Sequence, residues 1–343
     1  MKALVLKEYM RLSYEEVAMP EFGPADVLVA VKACGICGSD VHGMDGSTGR
    51  RCPPVIMGHE AAGEVAEVGQ EVKDWKRGDR VTFDSTIYCG DCEFCRRGLI
   101  NLCNRRRVLG VSCEEYRQHG AFAEYVAVPQ RILYRLPNAL SFEQAALLEP
   151  FTIAFHAVRR SLVTLNDTAV VVGCGMIGLT LVQAAKLSGF GRIIAIDVAD
   201  EKLVEAARLG ATNTINSGNV DAIEEILRLT KGIGADRAFE AVGVGVTVDL
   251  AVRCVRKGGA VTLVGNVAAK VELPLQIMVT RELTLHGTCA SAGEYPACLD
   301  MMTRGAIDAR SILSAVAPLA EGAAWFDRLY RKEPGLLKVV LKP

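Results

Sequence analysis

The sequence predicts an α/β protein in two parts, a β-rich module joined to a doubly wound parallel-sheet domain. Three observations carry this. The 343 residues exceed the usual size of one domain. From residue 1 to about 150, short β-rich runs are broken by Gly and Pro, spacing that suggests a barrel-like all-β module. From about 151 onward, strand-like and helix-like stretches alternate, which argues for a parallel sheet with crossover helices.

In order along the chain, Met1–Leu6 reads as a first strand, and residues 27–31, 62–68 and 80–83 as further strands of the module. Ala169-Val170-Val171-Val172 is a continuous apolar run, the mark of a strand buried on both faces. A helix follows over 179–187, then a strand over 192–197 and a helix over 201–209. A strand at 237–240, a helix at 246–255 and a strand at 260–264 continue the alternation. A helix at 297–303 and a strand at 338–341 close the chain. There is no internal repeat and no low-complexity segment.

Composition narrows the function classes. Half of the residues are hydrophobic and 23% are charged, which suits a packed globular chain. A formal net charge of −1 removes the electrostatic case for nucleic acid or an anionic membrane as main partner. No stretch is long and apolar enough to span a bilayer, and the N-terminus lacks a signal-peptide core, so a cytoplasmic protein is expected. In a reducing compartment, 12 cysteines point to metal ligation, catalysis or burial and not to a disulfide framework. Cys174, Cys254, Cys289 and Cys298 are scattered and read as buried small hydrophobes.

Gly173-Cys174-Gly175-Met176-Ile177-Gly178 is a G-x-G-x-x-G. Alone it is a weak signal. Here it follows a buried strand, opens a helix and precedes a second strand ending in Asp197, the context a dinucleotide site requires. The helix N-terminus offers unpaired N–H groups to a pyrophosphate. Asp197, 19 residues after Gly178, suits the acid that binds the adenosine ribose hydroxyls and repels a 2′-phosphate, which favours NAD over NADP. Lys202 could reach the same ribose.

Cys89, Cys92, Cys95 and Cys103 are spaced C-x2-C-x2-C-x7-C. Four thiolates in one short loop can close a tetrahedral shell around a structural Zn²⁺. An iron–sulfur cluster is the competing reading. The long gap to Cys103 and the missing Cys-Pro ending count against it.

Two further segments are Cys34-Gly35-Ile36-Cys37-Gly38-Ser39-Asp40-Val41-His42 and Gly58-His59-Glu60. With the cysteine lobe and the glycine motif, they resemble the zinc-dependent medium-chain alcohol and polyol dehydrogenases over essentially the whole chain. The similarity is greatest to the sorbitol (L-iditol) and galactitol-1-phosphate dehydrogenase branch. The resemblance implies a GroES-like catalytic domain over residues 1–150, a Rossmann NAD-binding domain over 151–284 and a return to the catalytic domain over 285–343, with the active site in the cleft. It implies Cys37, His59, Glu60 and Glu149 as the catalytic zinc set, Glu149 acting directly or through water. Ser39 and His42 would relay the hydroxyl proton. Ile177, Val264, Gly265 and Thr288 join Gly173, Gly175, Gly178, Asp197 and Lys202 as cofactor contacts. A homo-oligomer, tetramer or dimer, is implied through strand edges of the Rossmann domain.

The expected activity is hydride transfer between NAD and a secondary alcohol, a polyol, to give its ketose. The contacts that animal sorbitol dehydrogenases make after the glycine at 287 are missing, since Thr288-Cys289-Ala290-Ser291 is small and uncharged. A polyol phosphate would need cations such as Arg50, Arg51 or Arg117, and threonine is a third candidate substrate. A catalytically silent NAD-binding relative would be free to lose the ligands and the relay, and all are present. Cys34 reads as packing, and His119, His156 and His286 stay unassigned.

Overall fold

A computed structural model describes residues 1–113 and 116–343. The chain forms two compact units, Met1–Glu149 with Ser291–Pro343, and Pro150–Ala290.

The first unit opens with β1 (Lys2–Glu8), β2 (Arg11–Glu16) and β3 (Asp26–Gly35), followed by helix α1 (Gly38–Met44). Then come β4 (Val55–Ile56), β5 (Glu60–Val68), β6 (Arg80–Phe83), β7 (Thr86–Ile87), helix α2 (Glu93–Arg96), β8 (Arg107–Val108), β9 (Tyr125–Pro129), β10 (Leu133–Arg135) and helix α3 (Phe142–Ala146), after which helix α4 (Leu148–Arg160) runs from Glu149 of the first unit into the second. The second unit carries β11 (Thr168–Val172), α5 (Met176–Leu187), β12 (Arg192–Asp197), α6 (Asp200–Leu209), β13 (Asn213–Asn216), α7 (Ala222–Leu229), β14 (Ala235–Glu240), α8 (Gly245–Cys254), β15 (Val255–Leu263), α9 (Leu275–Thr280) and β16 (Thr284–Gly287). The chain ends with α10 (Tyr295–Thr303), β17 (Leu313–Pro318), α11 (Gly322–Tyr330) and β18 (Lys338–Lys342).

In the first unit the main sheet runs β10-β6-β5-β3-β18-β17, with β9 also paired to β3, beside a small β2-β1-β4 sheet. Alternating residues of these strands bury Leu4, Leu6, Val27, Val29, Phe83 and Val339. Phe122 and Phe326 meet edge-to-face at 5.6 Å within that core. The return strand β18 pairs antiparallel with β3, Val340 opposite Gly35, so the chain's end becomes part of the sheet that its beginning starts.

The module over 1–150 is not all-β. Helix α1 interrupts it where Cys37 serves as N-cap and Asp40 turns back to accept from the Cys37 N–H at 3.3 Å. This local bond pattern overrides the glycine content of the segment. α3 starts with a capping box, Gln144 N–H donating to Ser141 Oγ and Ser141 N–H to Gln144 Oε1.

In the second unit the six strands run β13-β12-β11-β14-β15-β16, and every neighbouring pair is parallel. This is the doubly wound order whose switch point lies between β11 and β14. The Ala169–Val172 run is buried as expected, since α-helices cover both faces of a parallel sheet. The unit runs to Ala290, past the boundary read at 284, because β16 is its edge strand, pairing Thr284–Gly287 with Ala260–Leu263. Edge strand β13, with three polar residues in four (Asn-Thr-Ile-Asn), and helices α7 and α9 were not among the elements read from the sequence, although α7 alternates apolar and charged residues at helical spacing behind an Asp221 N-cap.

Among the scattered cysteines, Cys174, Cys254 and Cys298 are buried, whereas Cys289 is exposed, a correction to the sequence expectation. It lies beyond the last strand pair, where no sheet covers it. Cys34 is buried, as packing requires. No helix among the described residues is long and apolar enough to cross a membrane.

Candidate active site and dinucleotide site

Helix α1 and the start of β5 bring the catalytic candidates together. Cys37 caps α1, and His59 and Glu60 enter β5 directly across from the end of β3, Glu60 opposite Gly35. A Cβ at Gly35 would lie 2.4 Å from Glu60 Oε2, so glycine there makes room for the carboxylate. Ligand atoms of Cys37, His59 and Glu60 all lie within 4.8 Å of one another. Glu149, the second residue of α4, belongs to the same unit.

Partners that the sequence reading missed surround this cluster. His59 Nδ1 is 3.4 Å from Asp40 Oδ1, and Arg51 Nη2 donates to the same carboxylate at 2.9 Å. Arg51 and Asp40 are almost fully buried. Arg51 is therefore not available as a phosphate cation, a correction to one candidate role. Lys338 Nζ, also buried, donates to both Glu60 oxygens at 2.7 and 2.5 Å and to Ile36 O at 3.0 Å. Asp40 stood inside the quoted motif and could have been flagged by its i+3 position to Cys37. Lys338 sits 278 residues from Glu60, and no sequence signal links them.

The electrostatics favour a cation. Burial pushes the His59 imidazole down, but the Asp40 carboxylate and Cys37 sulfur outweigh it and hold the value well above the ordinary histidine range. Burial, opposed by His59 and reinforced by Glu60, raises the Glu149 carboxyl to about 7. A thiol, an imidazole and carboxylates in one dry corner are a donor set that suits Zn²⁺. Asp40 behind His59 is the kind of partner that fixes the tautomer and orientation of a metal-binding imidazole. Ser39 and His42 lie on α1 one turn apart, both exposed, with Ser39 Oγ accepting from Arg51 Nη2 at 3.3 Å.

The cysteine lobe converges as its spacing predicts. Cys92 and Cys95 sulfurs are 3.5 Å apart, and Cys89–Cys95 and Cys92–Cys103 are each 3.9 Å apart. A tetrahedral Zn–S shell with bonds of about 2.3 Å has sulfur–sulfur edges of about 3.8 Å, so the four residues fit the ion. Backbone N–H groups of Cys89 and Arg105 donate to Cys103 Sγ at 3.2 and 3.3 Å.

The glycine motif lies between β11 and α5. A Cβ at Gly178 would fall 1.8 Å from Gly173 O, so helix and turn approach too closely for any side chain. Gly175, the α5 N-cap, faces open space, the cradle a phosphate would fill. Ile177 and Lys202 lie in the first turns of α5 and α6. Asp197 Oδ2 accepts from Cys174 N–H at 2.7 Å, and Oδ1 from Val198 and Ala199 N–H at 2.9 and 3.1 Å, with Lys202 Nζ 3.7 Å away. The acid thus also ties the glycine turn to the second strand. Val264 and Gly265 N–H both donate to Glu240 O at the end of β15, and Thr288 follows β16. All three lie at carboxyl ends of the parallel strands, where such sheets bind ligands.

Comparison with known proteins agrees with this architecture. The Alcohol dehydrogenase GroES-like domain family matches residues 23–138, and the Zinc-binding dehydrogenase family matches 176–304. Sorbitol dehydrogenase of Bacillus subtilis (strain 168) is 34% identical, covering 100% of this chain and 97% of the relative. D-arabitol-phosphate dehydrogenase of Enterococcus avium is 32% identical over 97% of this chain and 94% of its own. A protein of Sinorhizobium meliloti 1021 solved with NADP bound superposes with a TM-score of 0.90 at 34% identity, covering 100% of this chain and 99% of that one. The chain belongs to the zinc-dependent medium-chain alcohol and polyol dehydrogenase family, a family of nicotinamide-linked oxidoreductases.

Proposed function

We propose that the protein interconverts a free sugar alcohol, or a closely related secondary alcohol, and its ketone with NAD. The observation that carries this is the convergence of Cys37, His59 and Glu60 within 4.8 Å of one another. Those residues, with Glu149, would hold the catalytic zinc, and Cys89, Cys92, Cys95 and Cys103 the structural one. Zinc held there would supply the Lewis acidity that makes a substrate hydroxyl more acidic, and NAD would supply the hydride acceptor.

The chain's own residues do the rest. Ser39 accepts the hydroxyl proton, and exposed His42, one turn along α1, hands it to solvent. Asp40 holds His59 in register. Gly173, Gly175, Ile177 and Gly178 cradle the pyrophosphate. Asp197 and Lys202 bind the adenosine ribose, and Val264, Gly265 and Thr288 line the nicotinamide side. The Asp197 carboxylate would repel a 2′-phosphate, which favours NAD here although the Sinorhizobium meliloti relative carries NADP.

A free polyol is favoured over a phosphorylated one. Of the three arginines that could meet a phosphate, Arg51 is committed to Asp40. Arg117 lines a groove of about 700 Å³ shared with Met1, Val5, Lys7 and Val17, whose lining includes none of Cys37, His59, Glu60 and Glu149. The open edge of β16, in a unit that also leaves Leu275 and Val279 of α9 exposed, suits pairing with a second copy. The protein is accordingly a homo-oligomer, in a reducing cytoplasm where thiolate ligands persist. A screen of polyols, polyol phosphates and threonine, each with NAD and with NADP, follows nicotinamide absorbance. Turnover of free polyols with NAD at least tenfold more efficient than with NADP is expected. Turnover of threonine alone, or of phosphates alone, overturns the reading.

A further inference from the structure

At the carboxyl ends of the second unit's strands, two turns pack against each other backbone to backbone. One follows β14 and includes Val242 and Gly243; the other follows β15 and includes Val264, Gly265 and Asn266. A Cβ at Gly265 would fall 2.2 Å from Gly243 N, and one at Gly243, where φ is +88°, 2.3 Å from Asn266 N. Gly243 O accepts from Ala268 N–H at 2.8 Å, which ties the turns together further on.

One residue, Glu240 at the end of β14, holds both turns. Its backbone O accepts from Val264 and Gly265 N–H at 2.8 and 2.9 Å. Its side-chain Oε1 accepts from Val242 N–H at 2.9 Å, from Gly243 N–H at 2.7 Å and from Thr247 Oγ at 2.7 Å. The residue is 0% exposed, and Oε2 is buried with no partner among the described residues. A carboxyl group shut away from water is costly, and an idle oxygen adds to the cost. An apolar side chain would fill the position more cheaply but could not turn two successive N–H groups inward onto one atom. A carboxylate also does this more strongly than a neutral acceptor.

The same carboxylate serves the start of α8. The N-cap there, Val244, offers no side-chain acceptor, and Thr247 in the first turn is the group that reaches Glu240. Negative charge is favoured at a helix N-terminus, so this end of α8 already has its anion. Across the switch point, α5 has no acid in its first turn and keeps its N-terminus for a phosphate.

We propose that Glu240 is a positioning residue for the nicotinamide half of the cofactor: through its backbone and its carboxylate it fixes both turns on that side before the dinucleotide arrives. The assignment rests on the reading that Val264 and Gly265 line the nicotinamide side. A wall set in advance spares the ligand the cost of ordering it. The adenosine half has a separate anchor in Asp197.

The test compares two ligands on the full chain without alcohol: NADH, followed by its fluorescence, and ADP-ribose, which lacks the nicotinamide, followed by calorimetry. Glu240→Leu removes the acceptor, Glu240→Gln keeps an acceptor and removes the charge, and Thr247→Val removes one donor. NADH binding should weaken about tenfold in Glu240→Leu and about threefold in each of the other two, the range for losing hydrogen bonds to a charged group in part. ADP-ribose should stay within about twofold of wild type in all three. In turnover, KM for NAD should rise while KM for the alcohol is unchanged. Should Glu240→Leu fail to fold, the ratio of the two affinities in the milder pair decides. Unchanged NADH affinity, or equal weakening of both ligands, overturns the proposal, the second because it marks a merely structural role. Wild-type chain that binds neither NADH nor NADPH overturns the nicotinamide reading itself, and the proposal with it.

Discussion

Replacing Lys338 with methionine tests how the catalytic corner is held together. The Lys338 ammonium is buried against both Glu60 oxygens at 2.7 and 2.5 Å, with a third bond to Ile36 O at 3.0 Å. Methionine fills most of that volume but leaves a carboxylate buried without its counter-charge. Breaking such a pair from one side costs about 3–5 kcal/mol, against about 1 kcal/mol or less for an exposed pair. For a unit of roughly 200 residues, each kcal/mol lowers Tm by about 2–4 °C, so a fall of about 6–20 °C is expected. The assay is selective, because the two tryptophans, Trp75 and Trp325, both lie in the first unit. Their fluorescence reports its melting alone. Added zinc should recover part of the loss, since an ion on Glu60 replaces the missing charge and binds only the folded form. Lys338→Met with Glu60→Leu should melt closer to wild type than Lys338→Met alone. A single-variant loss below about 1 kcal/mol, or a double variant worse than the single, would refute the picture of a buried and mutually dependent pair.

Two further outcomes follow from the same unit. Burial raises the Asp84 carboxyl to about 6, its bonds from Thr86 and Ser291 opposing that only in part. The folded form therefore holds the proton more tightly than the unfolded chain, so this group's favourable contribution is complete below about pH 4 and is lost as pH rises through about 6. Asp84→Asn, which can keep both contacts, should be more stable than wild type by up to about 3 kcal/mol at pH 8 and equal to it near pH 4; urea titrations at the two pH values check this, and equal stability at pH 8 would contradict it. Cys103→Ser should lower zinc content from about two ions per chain to about one and depress Tm, measured by metal analysis and scanning calorimetry. Two ions retained would show that the four-cysteine lobe does not hold zinc.

Much of the site could be read from local spacing. The four cysteines, the glycine turn and the Cys37–His42 run each lie within 15 residues, and their chemistry depends on neighbours along the chain. The buried Ala169–Val172 strand and the alternation after it indicated a parallel sheet, because both faces of such a strand must be apolar. Helix α1 inside a β-rich stretch was missed because Gly38 and Gly43 argue against a helix, although the local signal for its start, Asp40 three residues after Cys37, was present. Nor was the edge strand β13, whose Asn-Thr-Ile-Asn pattern lacks a buried face on both sides.

By itself, then, the sequence determined the family, the order of the two folds and the residues with ligand chemistry, because those depend on residue type and short-range spacing. Only the tertiary structure decided what each of them faces. It set Lys338 against Glu60 across 278 residues, turned Arg51 inward to Asp40, and stacked Tyr295 on Tyr134 beside Asp84. These pairings arise where β18 rejoins β3 and where α10 packs against β10. A contact made by strands and helices far apart in the chain leaves no periodicity for a local reading to find.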